Sequence, residues 1–223
     1  MGHFGYYSIF EQPTLGFFKE LHNEYGLKVS FYCFGSFQGL KLCDMTGAYK
    51  DEFLTNSDWL RFGFHGWSDE SRNMDVKRTT ADYEAVRDEL IRIVGLNSLT
   101  DFCRLHCFSG SRNAVAAMHK CGLKELLCAD YKRNNYYLSA KQNWWLNFRG
   151  NYIDKSLNLQ FLKTDMRIEN SDVSACMDFS CNKKHIDFFT HEWALDDENK
   201  RKIEMLCKRL HGLEYKWTFN DER

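Results

Sequence analysis

Three histidines stand at the ends of short apolar runs, each on a period-2 alternation that groups it with other polar side chains. In residues 60–65 (LRFGFH) the alternation puts Arg61, Gly63 and His65 on one face. In 103–108 (CRLHCF) it groups Arg104 with His106, and in 186–193 (IDFFTHEW) it groups Asp187, Phe189 and His191. Imidazole takes and gives protons near neutral pH, and in its neutral form it is the commonest metal ligand. One histidine ending a strand is an ordinary structural residue. Three in one chain converge on one mouth if the strands are parallel, and the carboxyl ends of parallel strands are where α/β enzymes keep their sites.

His65 has a second feature. In the run HGWSDE, Asp69 lies four residues further on, a spacing at which one turn or a tight loop brings imidazole and carboxylate onto one divalent metal. Histidine and oxygen donors suit zinc and other first-row metals. The plainer reading makes Asp69 and Glu70 solvated loop acids. A second zinc arrangement, from Cys103, His106 and Cys107 or from Cys176 and Cys181, lacks the paired-cysteine spacing that structural zinc prefers.

Apolar strands alternating with helical stretches must position these groups. Pro13 to Tyr25 has helical spacing and ends before Gly26; 28–34 follows as a strand, 49–57 as a helix and 60–65 as a strand. The segment 79–94 predicts a helix with Thr80 as N-cap, a stripe of Tyr83, Val86, Leu90 and Ile93, and Gly95 as terminator. A strand at 102–108, a helix at 111–121, a strand at 125–129, a strand at 185–193, a helix at 197–211 and a last strand at 214–219 complete the alternation. The aromatic-rich stretch from about 131 to 181, with Trp144-Trp145 and several asparagines, reads as an insert of strands or an excursion above the sheet. The whole chain, 1–223, is expected to be one α/β domain with a parallel sheet, a barrel rather than a doubly wound sheet.

Composition excludes several classes. The chain has 223 residues, with 30 basic against 31 acidic side chains, so no global field draws nucleic acid or an anionic membrane, although a local patch is compatible with that balance. No apolar run approaches the roughly 18 residues that span a bilayer. Nine cysteines, an odd number without any C-x-x-C, fit reduced thiols in a cytoplasm. Cys33, Cys103, Cys107 and Cys128 fall in apolar runs, where a thiol packs as a small hydrophobe.

Five segments carry a resemblance: those beginning at Ser8 (SIFEQPTLGFFKE), Gly26 (GLKVSFYCF), Asp58 (DWLRFGFH), Arg104 (RLHCFSG) and Phe189 (FTHEW). Together they resemble the polysaccharide deacetylase (NodB-like) superfamily, particularly its bacterial members. The resemblance implies a distorted, incomplete (β/α) barrel that removes acetyl groups from sugars with a divalent metal, here zinc. On that likeness His65 and Asp69 fill the two places of the metal motif H-x-x-x-H, Arg104 steadies the catalytic acid, His191 protonates the leaving group and Glu192 tunes it. His106 stands where the arginine motif has proline. Trp67, Trp193 and His106 would contact the sugar, with Trp144 and Trp145 as further stacking platforms. Members of the superfamily open with a strand ending in Asp-Asp, and no such pair precedes Pro13 here. Two other readings stand beside hydrolysis: a barrel that binds carbohydrate without turnover, and a glycoside hydrolase with paired carboxylates from Asp69, Asp130, Asp187 or Glu192. Carbohydrate is the expected partner, neither nucleic acid nor membrane is expected, and the plainer reading of the tryptophans is core packing or the surface of a homo-oligomer.

Overall fold

Val29–Phe34, a run of β-branched and aromatic residues, forms strand β1, which pairs with β4 (Leu60–Gly66) in the computed structural model, where residues 6–69, 75–173 and 185–219 are described. Between them lie a small antiparallel hairpin, β2 (Ser36–Phe37) with β3 (Leu40–Lys41), and helix α2 (Lys50–Thr55). Helix α3 (Val76–Val94) then leads to β5 (Phe102–Cys103), and α4 (Arg112–Lys120) to β6 (Glu125–Cys128). Helix α5 (Ala140–Arg149) and β7 (Asn151–Asp154) precede β8 (Leu159–Lys163). The second sheet runs β5-β6-β8-β7, with β5, β6 and β8 parallel and β7 antiparallel at the edge. A parallel bridge between Phe62 and Leu99 links β4 to the approach of β5. The protein is therefore mixed α/β, and among the described residues no sheet closes into a barrel.

Of the described residues, Ser30–Lys163 forms one compact unit, and those up to Val29 join those from Thr164 onward in a second. The second unit holds α1 (Pro13–Tyr25), the parallel pair β9 (Met166–Arg167) and β10 (Phe188–Phe189), and α6 (Asp197–Gly212).

Burial follows from the strand pairing. Parallel strands covered on both sides need apolar runs, and Leu126, Cys128, Leu159 and Phe161 are all fully buried. The stripe Tyr83, Val86, Leu90 and Ile93 of α3 is buried as its spacing predicts. Gly26 ends α1 in the left-handed conformation at φ 73°. The cap of α3 differs from expectation: Asp75, not Thr80, accepts from the Arg78 N–H, and the Thr80 hydroxyl donates to the Val76 carbonyl one turn inside. A free carboxylate sat earlier in the chain, and the helix grew back to it.

Three expected strands are shorter or missing. The run at 102–108 leaves the sheet after Cys103 and turns through a 3-10 segment, with Cys107 and Phe108 at φ 54° and 53°. In 185–193 only Phe188–Phe189 pairs, and Glu192–Ala194 is a 3-10 turn. Residues 214–219 form no strand; Tyr215 N–H bonds the Leu210 carbonyl at the end of α6, so alternation is present without a ladder partner. Conversely, the stretch read as an insert contributes α5 and β8, and β8 is central to the sheet. Positions 174–184 of that stretch lie outside the described residues.

Gly63 marks the closest approach of β4 to its neighbours. A Cβ there would stand 2.8 Å from Thr100 Cγ2 and 2.9 Å from the Phe102 carbonyl oxygen. Gly63→Ala is expected to lower stability by about 1–3 kcal/mol, read from the urea midpoint, because backbone on the facing segment cannot retreat as a side chain can. An unchanged midpoint would show that the segments separate freely.

Candidate functional site

In the first unit β4 and the segment after β5 bring two of the three histidines together. His65, half-buried, is the last but one residue of β4, and His106 opens the 3-10 turn that follows Leu105. Their ring centroids lie 5.5 Å apart at 83°, and Phe34 packs against both, 4.6 Å from His65 and 5.4 Å from His106. The Nδ1–H of His65 donates to the carbonyl oxygen of Arg104. A carbonyl can only accept, so that hydrogen is on Nδ1, and in the neutral ring Nε2 then carries the lone pair. The histidines line a cleft with about 440 Å³ of empty space, open mouth included, together with Trp67, Asp82, Ser109 and Ser111. Asp82, 6% exposed, is held by Arg78 at 2.8 Å. Trp67 packs over Gly35, where a Cβ would meet its ring at 2.6 Å, and the Arg78 guanidinium lies 6.0 Å from its centroid. Trp67 is thus seated as a wall of the cleft.

Arg104 serves this site through its backbone. Its side chain is 7% exposed, with the guanidinium 5.7 Å from the Phe108 ring, and its charge draws down the Cys128 thiol, which burial nevertheless pushes far above the ordinary range. Cys103 is likewise raised by burial. Both thiols stay protonated in the core and are poor nucleophiles. The seven described cysteines form no disulfide.

The third histidine lies in the second unit and has its own partners. His191 Nδ1–H donates to Glu169 Oε1 at 2.5 Å, and Arg167 Nε–H donates to the same oxygen at 2.8 Å. Trp193, 67% exposed, stacks on the His191 ring at 5.1 Å and 24°, and the Arg167 guanidinium lies 6.0 Å from the Trp193 centroid. Burial pushes the Glu169 carboxyl up, but hydrogen bonds from His191, its own backbone N–H and Arg167, together with the arginine charge, outweigh burial and hold it below its ordinary 4.5. Glu169 is 8% exposed and His191 31%. A buried carboxylate thus fixes Nδ1–H and with it the orientation of the ring. Glu192, expected in this role, is exposed on the next turn, and the carboxylate on His191 is Glu169. The signal for Glu169 was weak: an R-x-E run after a short strand, 22 residues before its partner.

Asp69 is exposed in the turn after β4. Among the described residues no three His, Cys, Asp or Glu side chains gather as metal ligands, and the two imidazoles fall short of the three protein ligands of a catalytic zinc. The donor set therefore does not fit a complete zinc centre, and no step below is routed through a metal. The alternative with Cys103, His106 and Cys107 falls under the same finding, and Cys176 and Cys181 lie outside the described residues.

Neither a protein-family model nor a curated protein matches the chain, so the deacetylase likeness rests on the segments quoted for it.

Because the Glu169 carboxyl is depressed on folding, its ion pairing stabilises the fold fully above the unfolded value near 4.5 and is lost as pH falls through the lower folded value. The stability gap between the native chain and Glu169→Gln, measured by thermal unfolding from about pH 7 to about pH 3, is expected to narrow on acidification. A gap independent of pH would assign Glu169 no charge-dependent contribution.

Proposed function

We propose that the protein is a carbohydrate deacetylase-like hydrolase whose proton transfers are carried by His191 held on Glu169. The observation that carries this reading is the buried carboxylate with imidazole and guanidinium on one oxygen, beside an exposed tryptophan. In the reaction, His191 Nε2 takes a proton from water as the water oxygen attacks the acetyl carbonyl. Glu169 stabilises the imidazolium that forms, and the Arg167 guanidinium favours negative charge on the carbonyl oxygen. Collapse of the tetrahedral intermediate breaks the bond to the sugar oxygen or nitrogen, which receives the proton from Nε2, and acetate leaves. Trp193 offers a flat face to the apolar side of a sugar ring.

The strand order supports the fold that goes with this function. Each parallel strand of β5, β6 and β8 is added beside its predecessor with a helix between, and the Phe62–Leu99 bridge continues the order to β4 and β1. That succession is the one a distorted, incomplete (β/α) barrel requires. The seven described cysteines, free of disulfides, are in keeping with the cytoplasm as its place of action.

A second reading, a barrel that binds sugar without turnover, is favoured by the two-imidazole donor set around His65 and His106. The experiment that separates them is acetate release from acetylated sugars and from 4-nitrophenyl acetate, with and without a chelator. Hydrolysis is expected to persist with chelator and to fall about 10²- to 10⁴-fold in His191→Ala, the range for loss of a positioned acid–base group. Equal rates in native and variant chains would overturn the role of His191. Saturable glycan binding with no acetate released would select the second reading.

A further inference from the structure

The 23 residues between Asp130 and Asp154 contain four basic side chains, Lys132, Arg133, Lys141 and Arg149, and no acidic one, in a chain whose net charge is -1. The same stretch carries an unusual share of exposed apolar surface. Trp144 is 53% exposed, Phe148 71%, Tyr131 52% and Ile153 50%.

Helix α5 concentrates four of these side chains, Lys141, Trp144, Phe148 and Arg149, on one side. With 100° per residue, Lys141, Trp144, Trp145 and Phe148 fall within about 100° of arc and Arg149 on its border, opposite the buried Asn143 and Leu146. The rings order one another. Trp144 and Phe148 stack at 5.3 Å and 6°, Trp145 meets Trp144 edge-on at 4.7 Å, and Arg149 lies over Trp145 at 4.5 Å. At the flank, Asp154 is 7% exposed and taken up by Tyr137 and Ser156, so it does not offset the cations at the surface.

We infer that this face of α5 docks the protein on an anionic lipid surface, lying on the headgroup region without crossing it. No described helix is long and apolar enough to cross a membrane. An interfacial helix instead carries aromatic rings beside lysine and arginine, so that rings enter the acyl boundary while cations meet lipid phosphates. A neutral sugar is the poorer occupant because its hydroxyls need amides or carboxylates beside the rings. On α5 those groups are committed within the chain: Gln142 to Tyr152 and Ser139, Asn143 to Leu138 and Ser139, and Asn147 to Asn143. A second copy of this chain would set Lys141 and Arg149 against the same two cations across an isologous contact. The inference is independent of the hydrolase reading, since no residue of the His191 cluster takes part.

The test is co-sedimentation of the full chain with vesicles of phosphatidylcholine alone or mixed with phosphatidylglycerol, with tryptophan emission followed in parallel. Binding to the mixed vesicles only, weakened by salt and accompanied by a blue shift, is expected. Lys141→Glu with Arg149→Glu should weaken it at least about twenty-five-fold, from about fivefold for each cation removed, and Trp144→Ala with Phe148→Ala should abolish the blue shift. All four positions are surface-facing, so unchanged circular dichroism and unfolding midpoints serve as the folding control. Absence of binding at low salt, equal binding to both vesicle types, saturable binding of a neutral oligosaccharide lost with Trp144, or a dimer dissolved by Phe148→Asp would each overturn the inference.

Discussion

A carbonyl oxygen at the end of a buried parallel strand loses its ladder partner but not its need for a donor, and in this chain side chains supply many of the missing donors. His65 serves the Arg104 carbonyl where the chain leaves β5. Tyr136 serves Leu127 near the end of β6, and outside the strands Ser98 serves Phe53 in α2 and Asn143 serves Leu138 ahead of α5. The converse case occurs at Ala129, whose N–H is accepted by Asn135 Oδ1. The candidate groups are therefore consequences of where the sheet stops. His65 is oriented because a strand ended beside it, and its chemistry is set by which nitrogen that carbonyl occupies.

The second unit meets the same demand in charged form. A carboxylate placed in the interior by the turn after β9 is costly unless donors converge on it, and Arg167 and His191 supply two on one oxygen. Burial and hydrogen bonding act in opposite directions on Glu169, and the bonds prevail. The result keeps the carboxylate charged at neutral pH beside the His191 ring.

Local signals were legible where one short segment decides its own structure. Helix α1 runs over the residues its spacing marked, with Gly26 as terminator, and the apolar stripe of α3 is buried as read. Helix α5 was missed although Ser139 and Gln142 form a capping box, an S-x-x-Q signal that was present but masked by the aromatic and asparagine-rich run around it. Strand lengths at 102–108, 185–193 and 214–219 were overestimated, because alternation reports which side of the chain faces inward and not whether a neighbouring strand stands there to bond it.

By itself the sequence determined the element types with strong periodicity, the placement of three histidines at the ends of apolar runs, the absence of a global charge bias and the local excess of cations around Trp144. Those properties depend on residues within a few positions of one another. Tertiary structure alone decided that His65 meets the Arg104 carbonyl 39 residues away, that Glu169 and not Glu192 holds His191, and that Asp69 stays exposed. Hydrogen bonding acts across space within about 3.2 Å, and spacing along a chain carries no record of which distant donor the folded backbone brings within that reach.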